Sequence, residues 1–166
     1  MHKIIVIDVK ECMACRTCEI ACALVHSQSQ TLEEAMKGQP RINVEGTQEF
    51  AAPILCRHCE DAPCIKICPT KALYRPDPDG PVLLEQALCI GCKFCLIVCP
   101  FGVIEPSYDG RAMVKCDLCL ERLEAGQEPA CVASCPMGAI KLVEAEQHVR
   151  EKRMDAAQRC FEQTQD

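Results

Sequence analysis

The chain has 166 residues, a formal net charge of −6 at pH 7 and only 4% aromatic residues. The acidic balance excludes the basic surface of a nucleic-acid-binding domain, and no apolar run of about 18 residues is present that could form a transmembrane helix. The 17 cysteines, about a tenth of the chain, predict that inorganic cofactors or disulfides form much of the core.

The apolar run KIIVIDV at residues 3–9 is too short for the core of a signal peptide, and neither a twin-arginine motif nor a cleavage site accompanies it. We therefore expect a cytoplasmic protein, unless it is exported on the signal of a partner. In that reducing compartment a cysteine-rich pattern favours metal binding over disulfides. Because the run is rich in β-branched residues, it also predicts a buried strand.

A polar segment without cysteine, residues 27–52, follows the first cysteine group. We expect this segment to be a surface insert or a docking element. Within it, TLEEAMKG at residues 31–38 predicts a short helix that Gly38 ends, and RINVE at residues 41–45 is a candidate strand.

Turn sequences separate the remaining segments. PDPDG lies between the apolar residues of 72–75 and 81–84, and PSYDGR lies between VIE and AMV, so two β-hairpins are predicted. AIKLV at residues 139–143 is the last predicted strand. Residues 144–166 lack proline and glycine and predict a helix with a weak apolar stripe. We expect that helix to pack on the domain, or to dock on a partner or on another copy of the chain.

Four groups of four account for sixteen of the seventeen cysteines. The third group has the spacing of the bacterial ferredoxin run, in which three thiolates of one tight loop hold one [4Fe–4S] cube and the fourth serves another cube. Sixteen thiolates match the demand of four [4Fe–4S] clusters, with every thiolate acting as an iron ligand. The groups are Cys12, Cys15, Cys18 and Cys22; Cys56, Cys59, Cys64 and Cys68; Cys89, Cys92, Cys95 and Cys99; and Cys116, Cys119, Cys131 and Cys135.

Two other uses of the cysteines are weaker. Zinc could fill the second or fourth group alone, because paired cysteines suit its tetrahedral sites, but it does not explain the crowded triples of groups one and three. A disulfide scaffold is disfavoured by the absent signal peptide. Cys160 lies outside the groups and is predicted to be a small packing residue of the C-terminal helix.

Other chemistry is sparse. The sequence has no recognisable catalytic or phosphate-binding motif, so no catalytic residue is predicted. His58 lies between two cysteines and is expected to donate a hydrogen bond near a cluster rather than to bind iron. Basic residues beside the groups either favour the reduced clusters or are solvated surface residues. They are Arg16, Arg57, Lys66 and Lys93.

With these four groups and the CRHCEDAPC segment at residues 56–64, the chain resembles the four-cluster, ferredoxin-like electron-transfer subunits of multi-subunit oxidoreductases. The resemblance covers residues 3–143. The family includes beta subunits of the dimethyl sulfoxide reductase and formate dehydrogenase family. It also includes ferredoxin-like subunits of hydrogenase, carbon monoxide dehydrogenase and tungsten aldehyde oxidoreductase complexes. Many beta subunits have long insertions and a C-terminal membrane anchor that this sequence lacks.

The resemblance implies an α+β fold of two bacterial-ferredoxin-like modules, one inserted into the other, with short strands, short helices and a C-terminal helix. The outer module would comprise residues 1–26 and 112–143, and the inserted module residues 53–111. Carried over position by position, cluster 1 would be held by Cys12, Cys15, Cys18 and Cys135; cluster 2 by Cys22, Cys116, Cys119 and Cys131; cluster 3 by Cys56, Cys59, Cys64 and Cys99; and cluster 4 by Cys68, Cys89, Cys92 and Cys95. The first strand needs a partner in such a module, and AIKLV is the natural one.

The resemblance also implies a non-catalytic subunit of anaerobic metabolism that relays single electrons through four clusters. One partner would be a larger catalytic subunit with a molybdenum or tungsten pterin or a similar site, as in aldehyde or formate oxidoreductases, and the other a second redox protein. The alternatives are a free polyferredoxin that diffuses between partners, and a subunit that self-associates through the C-terminal helix and so extends the electron path. We expect no nucleic-acid partner and no direct insertion into a membrane.

Overall fold

A computed structural model describes residues 3–27, 31, 33, 38–47 and 49–163 of the chain. Short helices and two-stranded antiparallel sheets alternate along it, which is an α+β arrangement. The strands are β1 (Lys3–Ile7), β2 (Ile42–Gly46), β3 (Ala51–Leu55), β4 (Leu73–Tyr74), β5 (Leu83–Leu84), β6 (Glu105–Pro106), β7 (Met113–Val114) and β8 (Ile140–Glu144). The α-helices are α1 (Thr17–Val25), α2 (Pro63–Ile67), α3 (Phe94–Val98), α4 (Leu120–Glu124), α5 (Ala130–Ala133) and α6 (Ala145–Gln163).

The first and last strands pair with each other. β1 runs antiparallel to β8, with Lys3 opposite Glu144 and Ile7 opposite Ile140. Ile5 and Ile140 are buried, as expected for one face of a ribbon that covers a core. The predicted partnership of KIIVIDV with AIKLV is therefore confirmed.

Both predicted hairpins are present. β4 pairs with β5 across the PDPDG turn, and β6 pairs with β7 across the PSYDGR turn. The second turn is closed by a backbone hydrogen bond from the Ser107 N–H to the Ala112 carbonyl at 2.9 Å. Each hairpin precedes a cysteine loop, so the turns fix where groups three and four begin.

The segment expected to be a surface insert contributes to the core. RINVE forms β2 as predicted and pairs with β3, a strand that the sequence did not indicate. Ile42 and Val44 are buried against Leu55, and all three belong to the same hydrophobic cluster as Ile5. Ile42 and Val44 are therefore core rather than surface, whereas Glu45 and Gly46 at the end of β2 are exposed. The helix predicted at 31–38 lies almost wholly outside the described residues.

Two hydrophobic clusters form the core. The first gathers residues between 5 and 55 and between 116 and 140, with cysteines of groups one and four, and the second gathers residues 62–113 with cysteines of groups two and three. The buried members of the first are Ile5, Cys18, Cys22, Ile42, Val44, Leu55, Cys116, Leu118, Cys131 and Ile140. Those of the second are Ala62, Cys64, Leu73, Val82, Cys95, Ile104 and Met113.

The C-terminal helix extends away from this core. A helix is present over Ala145–Gln163, but every side chain from Val149 to Glu162 is exposed. The expectation that it packs on the domain is therefore wrong, and so is the packing role expected of Cys160, which is exposed. No helix of the described ranges is both long and apolar enough to cross a membrane.

Candidate metal centres

The cysteine loops place ordinary L-residues in the left-handed region of backbone space. In group one Arg16 has a φ of 57°, and in group three Lys93 has a φ of 65°. His58, Leu118 and Cys119 adopt the same conformation in the other two groups. L-residues rarely do so, and alternation of left- and right-handed conformations turns successive backbone N–H groups toward one centre, which makes a concavity for an anion. Each loop is thus shaped to surround a negatively charged group.

The four cysteines expected to hold cluster 1 line a single cavity, whose wall includes Val44 and Ile140. Three of them come from the loop after β1 and the first turn of α1, and the fourth comes just after α5. They meet because α1 packs against α5. The cysteines that line this cavity are Cys12, Cys15, Cys18 and Cys135.

The four cysteines expected to hold cluster 2 are all buried and lie close enough to influence one another's ionisation. Burial, followed by the charges of Cys22, Cys119 and Cys18, raises the pKa of the Cys131 thiol to about 12. Burial also raises the pKa of Cys116 strongly, and Cys22 adds to that effect.

The second and third groups meet where α2 packs against α3. Burial raises the pKa of Cys64, and the nearby charges of Cys56 and Cys99 raise it further. The fourth member of the set expected for cluster 3, Cys59, lies in a loop held by Arg75, whose guanidinium donates to the Cys59 carbonyl. Three of these four thiols are thereby placed near one another, and the loop of the fourth is anchored.

The set expected for cluster 4 is centred on Cys95, at the start of α3. Burial, with the thiols of Cys89 and Cys92, raises the pKa of Cys95 to about 11. Cys68, which follows α2, packs on the same hydrophobic cluster as Cys89 and Cys95. Cys92 is exposed, so this set reaches the surface.

The donor chemistry of the four sets fits [4Fe–4S] clusters. Burial and crowding both oppose ionisation of the thiols, so the thiolates need a compensating positive charge. Iron ions supply that charge, and cysteine thiolates alone complete the coordination of such clusters. Each set has four thiols and needs no histidine or carboxylate ligand.

Asp117, within the fourth group, was not singled out from the sequence. Its carboxylate accepts a hydrogen bond from Nε2 of His26 at 3.2 Å and forms an ion pair with Arg41. Although burial favours the protonated acid, His26 and Arg41 hold the pKa of Asp117 well below its usual range. The Arg41 backbone N–H also donates to Sγ of Cys22 at 3.3 Å, so this ion network reaches a candidate ligand. The position of Asp117 between Cys116 and Cys119 was the signal that the sequence offered for this residue.

His58 occupies a buried boundary between the second cysteine group and β5. Its Nδ1 accepts a hydrogen bond from the Val82 N–H at 3.0 Å, and its Nε2 is buried without a hydrogen-bond partner among the described residues. Burial, followed by the charge of Lys115, lowers the pKa of His58 to about 3. The ring is therefore neutral. Because Nδ1 accepts a hydrogen bond, the proton lies on Nε2, which has no acceptor among the described residues.

The basic residues noted beside the cysteine groups differ in their surroundings. Arg16 donates to the Val44 carbonyl at 3.2 Å, which ties the first loop to β2. Lys66 is exposed and pairs with Asp61. Lys93 and Arg57 are exposed. Sequence reasoning missed a more deeply placed cation, Lys115, although it directly precedes a cysteine of group four.

Comparison with known proteins agrees with this chemistry. A family model described as a 4Fe–4S dicluster domain matches residues 47–145. YsaA of Escherichia coli strain K12 is 38% identical over 156 residues, which cover 92% of this chain and 96% of YsaA. The electron transport protein HydN of the same strain is 36% identical over 177 aligned residues, which cover 95% of this chain and 98% of HydN.

A longer relative matches as well. A tetrathionate reductase subunit of Salmonella typhimurium is 35% identical over 136 residues, which cover 80% of this chain but only 54% of that relative. The family model covers all buried members of the second hydrophobic cluster, half of those of the first and three of the four cysteine groups. The first group lies within the 95% of this chain that aligns with HydN. The chain belongs to the family of 4Fe–4S dicluster domain proteins.

Proposed function

We propose that this protein is a non-catalytic electron-transfer subunit that carries four [4Fe–4S] clusters and relays single electrons between a larger catalytic oxidoreductase subunit and a second redox partner. The observation that carries the proposal is the concentration of cysteines within one small fold, where twelve of the sixteen grouped cysteines belong to or pack against the two hydrophobic clusters. A [4Fe–4S] cluster exchanges one electron at a time, and the protein tunes its potential through charge, hydrogen bonds and exposure.

Each cluster is assigned the ligand set that the family resemblance implies. Cluster 1 takes Cys12, Cys15, Cys18 and Cys135; cluster 2 takes Cys22, Cys116, Cys119 and Cys131; cluster 3 takes Cys56, Cys59, Cys64 and Cys99; and cluster 4 takes Cys68, Cys89, Cys92 and Cys95. The shared cavity of the first set supports this assignment, and so do the mutual effects of the thiols in the other three sets.

The chain is organised as two modules, with residues 53–111 inserted between residues 1–26 and 112–143. Two features favour this division. β1 and β8 join the outer segments, and the hydrophobic clusters divide largely along the same line. The division is crossed at β3, because Leu55 packs with Ile42 and Val44 in the hydrophobic cluster of the outer segments.

Electrons enter and leave at the two outer clusters. Of the sixteen grouped cysteines, Cys15 of cluster 1 and Cys92 of cluster 4 are exposed, whereas the ligands of cluster 2 are buried. Clusters 1 and 4 each have an exposed ligand, so clusters 2 and 3 would be the internal members of the electron path. Electron-transfer partners would therefore meet the Cys15 loop and the Cys92 loop.

The partner at the Cys92 loop would bind through an apolar surface. Ile90, Phe94, Ile97 and Phe101 are exposed around this loop, and Lys93 is the one charge between residues 86 and 104. Exposed apolar side chains grouped in this way are typical of protein interfaces. Two relatives agree with such partners, since HydN is an electron transport protein and the Salmonella relative is a subunit of a reductase.

Anaerobic purification of the native protein, with iron analysis and mass spectrometry of co-purifying chains, tests the proposal. We expect about sixteen irons per chain and a larger redox enzyme at a fixed ratio. About sixteen irons without a partner would favour the free polyferredoxin instead. Iron far below this number would contradict the four-cluster assignment.

Self-association is a second candidate function, and the exposed helix α6 favours it. A helix that is polar on most of its surface and leaves the core gains little from its own fold, so a partner is a natural source of stability. Truncation before Ala145 should then convert an oligomer to a monomer in light-scattering measurements. A native chain that is already monomeric would contradict this candidate.

A further inference from the structure

Lys115 is a buried cation that has no carboxylate partner among the described residues. Its side chain is 3% exposed, and it is the one charged residue that is buried in the described part of the chain. Lysine is almost never fully buried unless its charge is paired, because removal of an ammonium from water is costly. The surroundings of Lys115 must therefore supply a compensating charge.

The protein groups around Lys115 are polar but neutral. Nζ donates to the carbonyl of Cys116 at 2.5 Å and to the carbonyl of Val82. No ion pair joins it to a carboxylate of the described residues. The nearest acid in sequence, Asp117, is occupied by His26 and Arg41. An ammonium has three N–H donors, so one remains after these two carbonyls.

The position of Lys115 joins the two hydrophobic clusters. Val82 belongs to the second cluster and Cys116 to the first, and the ammonium binds the carbonyls of both. The other backbone polar group of Val82, its N–H, donates a hydrogen bond to Nδ1 of His58. His58 has no anionic group, so it does not compensate the ammonium.

Lys115 lies beside thiol-bearing segments on both sides of this boundary. Cys116, whose carbonyl accepts from Nζ, follows it directly, and Val82, whose carbonyl also accepts from Nζ, packs in the same hydrophobic cluster as Cys64. Under the proposed assignment Cys116 binds cluster 2 and Cys64 binds cluster 3. The sites that can compensate the ammonium are therefore the thiolate-bound clusters themselves, which are anionic.

We propose that Lys115 is the shared counter-charge of the two middle clusters and favours their reduced states. This inference rests on the proposed function. When an electron leaves a reduced neighbouring cluster and reduces cluster 2 or 3, the acceptor gains one negative charge and the donor loses one. No bond is made or broken, and no proton is transferred. A fixed positive charge at the boundary stabilises an added electron on either side of it.

The test compares Lys115→Met and Lys115→Gln, which remove the charge, with Lys115→Arg, which retains it. Full-length protein is loaded with iron and sulfide anaerobically and titrated with dithionite under potential control, with electron paramagnetic resonance as the readout. We expect two of the four cluster transitions to move to lower potential in the neutral variants and the Arg variant to stay close to wild type. Lys66→Met is the matched control, because the Lys66 side chain is 67% exposed and its charge is screened.

Each outcome decides the question. Unchanged potentials in a fully loaded neutral variant would overturn the proposal. If both neutral variants lose the middle clusters while the Arg variant keeps them, the charge is required and the proposal stands. If all three variants lose them equally, Lys115 acts through packing and the proposal fails. Wild-type protein with far fewer than about sixteen irons would instead refute the proposed function itself.

Discussion

The two exposed cysteine loops, at Cys15 and at Cys92, have the same local design in different surroundings. Each has two residues between consecutive cysteines and a basic residue in the left-handed conformation before the helix, Arg16 in one and Lys93 in the other. The first loop is tied down, because Arg16 donates to the Val44 carbonyl and also pairs with Glu19 at 3.4 Å.

The third-group loop lies instead within an apolar surface. Ile97, on α3, is 74% exposed, and Phe94 and Phe101 are exposed beside it. The polar contact at the first loop extends to the sulfur, since Thr17 Oγ1 donates to Cys15 Sγ at 3.3 Å and holds the pKa of Cys15 below its usual value. The first loop thus carries a polar contact to a cysteine sulfur and the second an apolar surface, although the cysteine spacing is identical.

Removal of all iron should abolish this difference by unfolding both ends. Cysteines make up much of both hydrophobic clusters, and buried thiols without iron leave the short helices with few other contacts. Circular dichroism and limited proteolysis of the iron-free chain should reveal loss of cooperative structure. Native-like protease resistance after complete iron removal would contradict the prediction.

Replacement of one end ligand should remove one cluster without affecting the other end. We expect Cys92→Ser and Cys15→Ser each to lower the iron content by about four per chain, since a [4Fe–4S] cube is lost or degraded. Cys160→Ser is the matched control and should leave iron unchanged, because Cys160 is exposed on α6. Equal iron loss in the Cys160 variant would contradict the ligand assignment.

A charge on the apolar surface should weaken partner binding at that end alone. Ile97→Glu is expected to weaken association with the redox partner at least about tenfold, a change of roughly 1.4 kcal/mol, because the carboxylate would be desolvated in the interface. Ile20→Glu, on α1 beside the first loop and 46% exposed in the parent protein, serves as the control for a general effect of charge. Biosensor binding of both loaded variants to the co-purified partner makes the measurement. Equal weakening by both would remove the distinction between the ends.

The smallest expected effect concerns the hydrogen bond to Cys15. Thr17→Val removes an O–H donor of the sulfur at nearly constant volume, so one cluster should move to lower potential by roughly 20–60 mV. Thr70→Val is the counterpart at the other end, where Oγ1 lies 3.8 Å from Cys68 Sγ, and it should shift its cluster less. Potentiometric titration compares the two, and a larger shift for Thr70→Val would reverse the assignment of the tuned end.

Local signals in the sequence predicted much of this fold. Cysteine spacing and turn residues such as PDPDG depend on a few neighbouring positions, which is why the loops and both hairpins were expected. β3 was missed because its sequence AAPIL has two alanines and a proline and little β-propensity, and its pairing with β2 decides its conformation.

Burial of charge was harder to predict, because it depends on residues distant in sequence. Nothing near Lys115 in the sequence predicts its burial, because the contact with the Val82 carbonyl joins residues that are 33 positions apart. For the same reason the sequence did not show whether the C-terminal helix packs on the core. In the structure the side chains of α6 from Val149 to Glu162 are exposed.

The pairing of β1 with β8 also sets an order of synthesis. β1 leaves the ribosome early but has no strand to pair with until Ile140–Glu144 has emerged. By then β4 to β7, with α2 and α3, are already outside the exit tunnel, and each of these strands has its pairing partner available. A nascent chain therefore matures from its middle outward, and a ribosome stalled before β8 would display an unpaired apolar strand to the chaperones of the cell.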